Sequence, residues 1–205
     1  MATKTTKTIS QFKTSLAGGG ARPNLFEVQL AALPEGVAGW GGDTSNNFPF
    51  MCKAAQLPAS VIANIDVPFR GRIFKVAGDR TIETWSVTVI NDESFEIRNA
   101  FENWMQHIAK LDTNIGATNP SSYMVDAEVF QLGRGGKIGK ESKSNQGNDS
   151  AILKQYKMEG IFPTNLSGID LSYDTGDTIE EFTVEFQVQS FTPFGGAGVS
   201  GINPG

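Results

Sequence analysis

The residues that come nearest to a chemical motif are Gly-Arg-Gly-Gly-Lys-Ile-Gly-Lys at 133–140. A glycine-rich loop with a lysine can cradle phosphate through its backbone N–H groups. That chemistry needs a glycine five residues before Gly136, where Gln131 stands, and a hydroxyl residue after Lys137, where Ile138 stands. The stretch reads as a hairpin tip instead. Asp170, Asp174, Asp177, Glu180 and Glu181 gather carboxylates without the spacing of a calcium loop, which leaves a turn and a solvated acidic face. His107 falls in the last turn of a predicted helix, where a partly positive ring suits the dipole. Cys52, the single cysteine, falls on an apolar strand face and reads as a small core residue. One cysteine permits neither an intrachain disulfide nor a cysteine zinc cage. With no second histidine for a triad and no paired metal ligands, the chain is expected to be no enzyme and to hold no metal or cofactor.

The elements around these residues are easier to read. Over residues 82–90 Trp85, Val87 and Val89 share one side while Thr84, Ser86 and Thr88 share the other, the period of a half-buried strand. Asn91 and Asp92 offer oxygens to a helix start, with Glu93 and Glu96 at its positive end. From there Ile97, Phe101, Trp104, Met105 and Ile108 form one helical stripe, so an amphipathic helix packs on a sheet. Residues 25–30 form a first strand, with Phe26, Val28 and Leu30 on one face. Residues 33–47 form a long loop whose Trp40, if exposed, is an interface candidate. Strands follow at 48–57, 61–67 and 70–76, the last with Phe74 and Val76 inward, then at 123–132 and at 151–162, closed by Pro163. A hairpin of 169–173 and 178–191 ends the series. Its second strand puts Phe182, Val184, Phe186 and Val188 against Glu181, Thr183, Glu185, Gln187 and Gln189. Together these predict a mainly β protein, an antiparallel β-barrel or sandwich with one flanking α-helix.

At 205 residues the chain suits one domain. Residues 1–20 read as a flexible N-terminal arm, 21–191 as the domain with an insertion loop at 133–150, and 192–205 as a flexible tail. The arm carries Lys4, Lys7 and Lys13 without an acid, and after Lys157 there are seven acids and no Lys or Arg. The net charge of −5 does not invite tight binding of a phosphate backbone. No apolar run is long enough to span a bilayer and no signal peptide is evident, so a soluble cytoplasmic product is expected. Short strands with free edges, two arms and a Trp-bearing loop suit self-assembly.

The segments ARPNLFEVQL (21–30), CKAAQLPA (52–59), VAGDRTIETWSVTVINDE (76–93) and GIFPTNLSGIDLSYD (160–174) resemble the major tail tube proteins of contractile-tailed, T-even-like bacteriophages. The order AGDRT, W-x-V-T-V-x-N-D-E, G-x-x-P-T-N carries the resemblance, which spans most of 22–191. It implies a structural virion protein, assembled in the host bacterial cytoplasm, whose hexameric rings stack into the inner tail tube. It further implies a tail sheath protein, baseplate and tube-terminator proteins as partners, and genomic DNA passing through the lumen without specific binding. The loop at 36–47, the insertion and the termini are extended relative to the family.

A channel that passes a polyanion without holding it needs a neutral or acidic wall, since each phosphate contact adds counterion-release affinity. Six copies at −5 each carry −30 per ring. The candidate lumen-facing residues are either Glu181, Thr183, Glu185 and Gln187 or Thr84, Ser86 and Thr88; alternation equally permits an outward, solvated face. Trp40, Lys4, Lys7 and Lys13 are candidates for subunit or ring interfaces. Other readings are a tube initiator or terminator of the same family, and a monomeric β-sandwich that binds carbohydrate through Trp40.

Overall fold

The computed structural model describes residues 8–16, 20–34, 36–133, 152–174 and 176–194. Its centre is the antiparallel pair β5 (Trp85–Ile90) and β8 (Glu181–Gln187). Trp85 stands opposite Phe186, Val87 opposite Val184 and Val89 opposite Phe182. All six side chains are buried, as the alternation predicts. Burying a large apolar side chain contributes about 1.5–3 kcal/mol, so this register is strongly held.

Around that pair the sheet runs β1 (Phe26–Leu30), β6 (Val125–Leu132), β7 (Ile152–Leu166), β8, β5, β2 (Cys52–Ala55), with β9 (Ser190–Phe194) also on β7. The first half of β7 lies between β6 and β9, and its second half pairs with β8. Between the halves Gly160 has φ +64°, and a Cβ there would stand 2.9 Å from Gln189 Cγ. The bend that lets the sheet wrap round its core therefore depends on glycine.

Helix α3 (Glu96–Ile108) lays Ile97, Ala100, Phe101 and Trp104 into the core. The Phe101 ring meets Phe182, Phe186 and Trp104 at centroid distances of 6.4, 5.9 and 6.4 Å. Trp104 Nε1 donates to the Tyr123 carbonyl and Trp85 Nε1 to that of Gln56, both at 2.8 Å, so two large rings are buried with their polar atoms satisfied. Helix α2 (Asp43–Met51) packs against β1 and β2, the two ends of the main strand order. No helix among the described residues is long and apolar enough to cross a membrane.

Several expectations need correction. The helix starts at Glu96, after a left-handed Phe95, not at Asn91. Asn91 is held by β8's approach instead: its N–H and Nδ2 donate to the carbonyl and carboxylate of Glu180 at 2.9 and 3.0 Å. Residues 48–51 are helical although Pro49 lies among them, so only Cys52–Ala55 of that predicted strand is sheet. Strand β7 continues past Pro163 because a bulge between Pro163 and Asn165 absorbs the lost donor. Residues 169–173 form a loop, not a hairpin strand, and Ser190–Phe194 form β9, which pairs with β7. Within the predicted N-terminal arm, Ile9–Ser15 forms a helix, α1. Thr8 and Gln11 cap it reciprocally, and Ile9, Phe12 and Leu16 stand exposed. All but Gly133 of the insertion lies outside the described residues.

The largest departure is β3 (Ser60–Phe69) and β4 (Arg72–Ile82), which form a separate two-stranded sheet. Arg70 and Gly71 turn it with φ of 45° and 82°, the geometry of a tight hairpin turn. Phe74 and Val76 do not point into the core; they are 67 and 41% exposed. Ile65 pairs with Val76 and Val67 with Phe74, which puts four large apolar side chains on one side. On the other, Asn64 donates to Asp66, and Lys75 lies 3.4 Å from Asp66.

Candidate channel wall and assembly surface

The outward face of β5 and β8 follows from their inward one. Once Phe182, Val184 and Phe186 meet the core, Glu181, Thr183, Glu185 and Gln187 must face away from it. The register places Ser86 opposite Glu185 and Thr88 opposite Thr183. The two candidate sets thus form one surface, not alternatives. Thr88 and Thr183 bring their hydroxyls within 3.3 Å. Thr84 is the exception, exposed in the link between β4 and β5 and outside either strand.

This face carries one cation. Lys53, on edge strand β2, reaches over β5 and forms an ion pair with Glu181. A second polar face lies on the other half of the sheet, where β6 and β7 expose Asp126, Glu128, Lys157 and Glu159. Lys157 Nζ lies 3.2 Å from Asp126 and 3.1 Å from Glu159. Hydrogen bonds that its ammonium donates to those two carboxylates, Glu159 first, raise the Lys157 pKa above its ordinary value.

Trp40 is not an exposed loop residue. Its half-buried ring lies 5.4 Å from Phe48 and 5.9 Å from Phe101, so it covers the core from the loop side. Lys13 is exposed on α1, while Lys4 and Lys7 lie outside the described residues. What sequence reasoning missed is the hairpin's apolar side. Ile65, Val67, Phe69, Phe74 and Val76 have exposures of 54, 44, 67, 67 and 41%. The signal was present, since Asn64, Asp66 and Lys75 take the opposite parity, but alternation alone reads any apolar side as core.

The two reactive side chains do not build a site. Burial pushes the Cys52 thiol up to about 12, so it stays protonated, and its Sγ contacts the Ala54 carbonyl at 3.8 Å. His107 Nε2 lies 3.3 Å from the Ser122 carbonyl, beside a shallow hollow lined by Pro34, Ala117 and Asn119. Among the described residues no group of His, Cys, Asp and Glu could hold a metal ion.

Residues 21–193 match the family described as phage tail tube protein. The chain is 34% identical over 168 residues to the tail tube protein gp19 of Enterobacteria phage T4, covering 82% of this chain and 88% of that protein. In fold it is similar to a chain of the anti-feeding prophage baseplate, with a TM-score of 0.57 at 10% identity over 86% of this chain and 96% of that one. It is also similar to a chain of the anti-feeding prophage tube-terminating cap, with a TM-score of 0.56 at 15% identity over 95 and 99% of the two. The segments with the clearest alternation lie inside the family match, and α1 lies outside it. The chain belongs to the phage tail tube protein family and is a structural subunit of a tail tube.

Proposed function

We propose that copies of this chain close head to tail into hexameric rings that stack into the inner tube of a contractile tail, and that the β5–β8 polar face lines the bore through which genomic DNA leaves. The observation that carries this is the β3–β4 hairpin. A lone two-stranded hairpin is marginal in water, and one with five large apolar side chains exposed on one side needs a cover. In a protein that builds a tube, a second copy supplies it. Such a contact joins two different patches, so it is heterologous, and it generates a ring when the rotation closes.

The sheath surrounds this tube, and the baseplate and terminator proteins bound its ends. Trp40 supports assembly over the carbohydrate-binding alternative, since its ring is committed to Phe48 and Phe101. Electron microscopy of the purified chain tests the proposal. Rings or rods of uniform bore are expected, and a permanent monomer or a solid fibre would refute it.

A further inference from the structure

We propose that Glu181 is a screening residue: it holds the Lys53 ammonium so that the channel wall offers no free positive charge to passing DNA. The assignment rests on the channel-lining role of the β5–β8 face. The wall formed by β2, β5, β8 and the second half of β7 contains a single Lys or Arg, Lys53. Every other polar side chain named on it is a hydroxyl, an amide or a carboxylate. Lys53 belongs to an edge strand, yet its ammonium is drawn across β5 to Glu181, two strands away. The partners are 53 and 35% exposed, and an exposed pair contributes little to folding. Stability therefore does not account for it.

Repetition makes this charge matter. One unscreened ammonium per copy recurs round every ring and along every ring of a tube, so a duplex lying in the bore meets many at once. Each phosphate neutralised releases counterions and steepens the salt dependence of binding by about 0.9 in log–log slope. A wall of free lysines would hold the DNA that it must let slide. With Glu181 and Glu185 against Lys53, the wall carries one net negative charge per copy. The second polar face repeats the device, with Lys157 held between Asp126 and Glu159.

The test uses assembled tubes, checked by electron microscopy and pelleted with a short fluorescent linear duplex or a nicked circular plasmid at low salt. A linear duplex can enter an open bore, and a circle cannot. Wild-type tubes are expected to retain neither. E181Q/E185Q tubes, left with an unopposed Lys53, are expected to retain the linear duplex about ten-fold better, to lose it as salt rises, and to ignore the circle. Adding K53Q should restore the wild-type result. E181Q alone keeps Glu185 and should show a smaller gain, which serves where the double variant forms no tubes. No gain on the linear duplex, or a gain that survives K53Q, overturns the screening role. An equal gain on the circle places Lys53 on the tube exterior and overturns the channel-lining role instead.

Discussion

Thr88 and Thr183 face each other across β5 and β8 with their hydroxyl oxygens 3.3 Å apart. This hydroxyl pair leaves a neutral patch between the Lys53–Glu181 pair and Glu185. A surface that hydrogen-bonds water without fixed positive charge is what a passing polyanion slides over most freely.

The hairpin separates assembly from folding. Val67→Ser with Phe74→Ser removes apolar surface that the described residues leave 44 and 67% exposed. Surface changes of this kind stay within about 0.5 kcal/mol, so chemical denaturation of the monomer should be nearly unchanged. Sedimentation velocity should show monomers where the wild type forms large assemblies. Tubes of normal length from this variant would remove the hairpin from the interface.

The core predicts the opposite pattern. Phe101 has no exposed surface and meets aromatic rings from α2, α3 and β8. Phe101→Ala should cost about 3–5 kcal/mol, measured by urea unfolding of the hairpin variant in its monomeric state. A loss under about 1 kcal/mol would mean that the helix does not seal the sheet as described.

Gly160 sets the bend in β7. Alanine there meets both a positive φ and Gln189 Cγ at 2.9 Å, so Gly160→Ala should destabilise by about 1–3 kcal/mol. Shortening Gln189 to Ala in the same chain removes the Cγ contact but leaves its Cβ at 3.2 Å and the positive φ. Thermal melts should show partial recovery, and full recovery would exclude backbone strain.

Stability should fall on the alkaline side. Cys52 and Lys157 both have raised pKa values in the folded chain, the first from burial, the second from the Glu159 and Asp126 carboxylates. The folded state therefore keeps protons that the unfolded state releases, and stability declines as pH rises above the ordinary values of 9.0 and 10.5. Melting curves from pH 8 to 12 should flatten at their onset in Cys52→Ala and at their upper end in Lys157→Met. Profiles unchanged in both variants would contradict the environments assigned to these groups.

Much of this was legible in the sequence wherever one face of an element meets a core. The alternation of Phe182, Val184 and Phe186, that of Trp85, Val87 and Val89, and the Ile97–Phe101–Trp104 stripe all survive in the fold. Boundaries were lost where a side chain has a partner distant in sequence. Asn91 resembles a helix cap but is bound to Glu180, 89 residues away. Pro163 misleads for a related reason, since a local bulge absorbs its missing donor. For the candidate wall, periodicity supplied both residue sets, including Thr84, which lies outside either strand, but only strand register could unite the others. The hairpin's apolar side was visible and assigned inward, because an interior and a surface awaiting another copy have the same composition.

The most direct measurement is a cryo-electron microscopy reconstruction of tubes grown from the purified chain. It should show six copies per ring round an open bore, with Ser86, Thr88, Thr183 and Glu185 on the inner wall. A reconstruction with that face turned outward, or with no bore at all, would contradict the account.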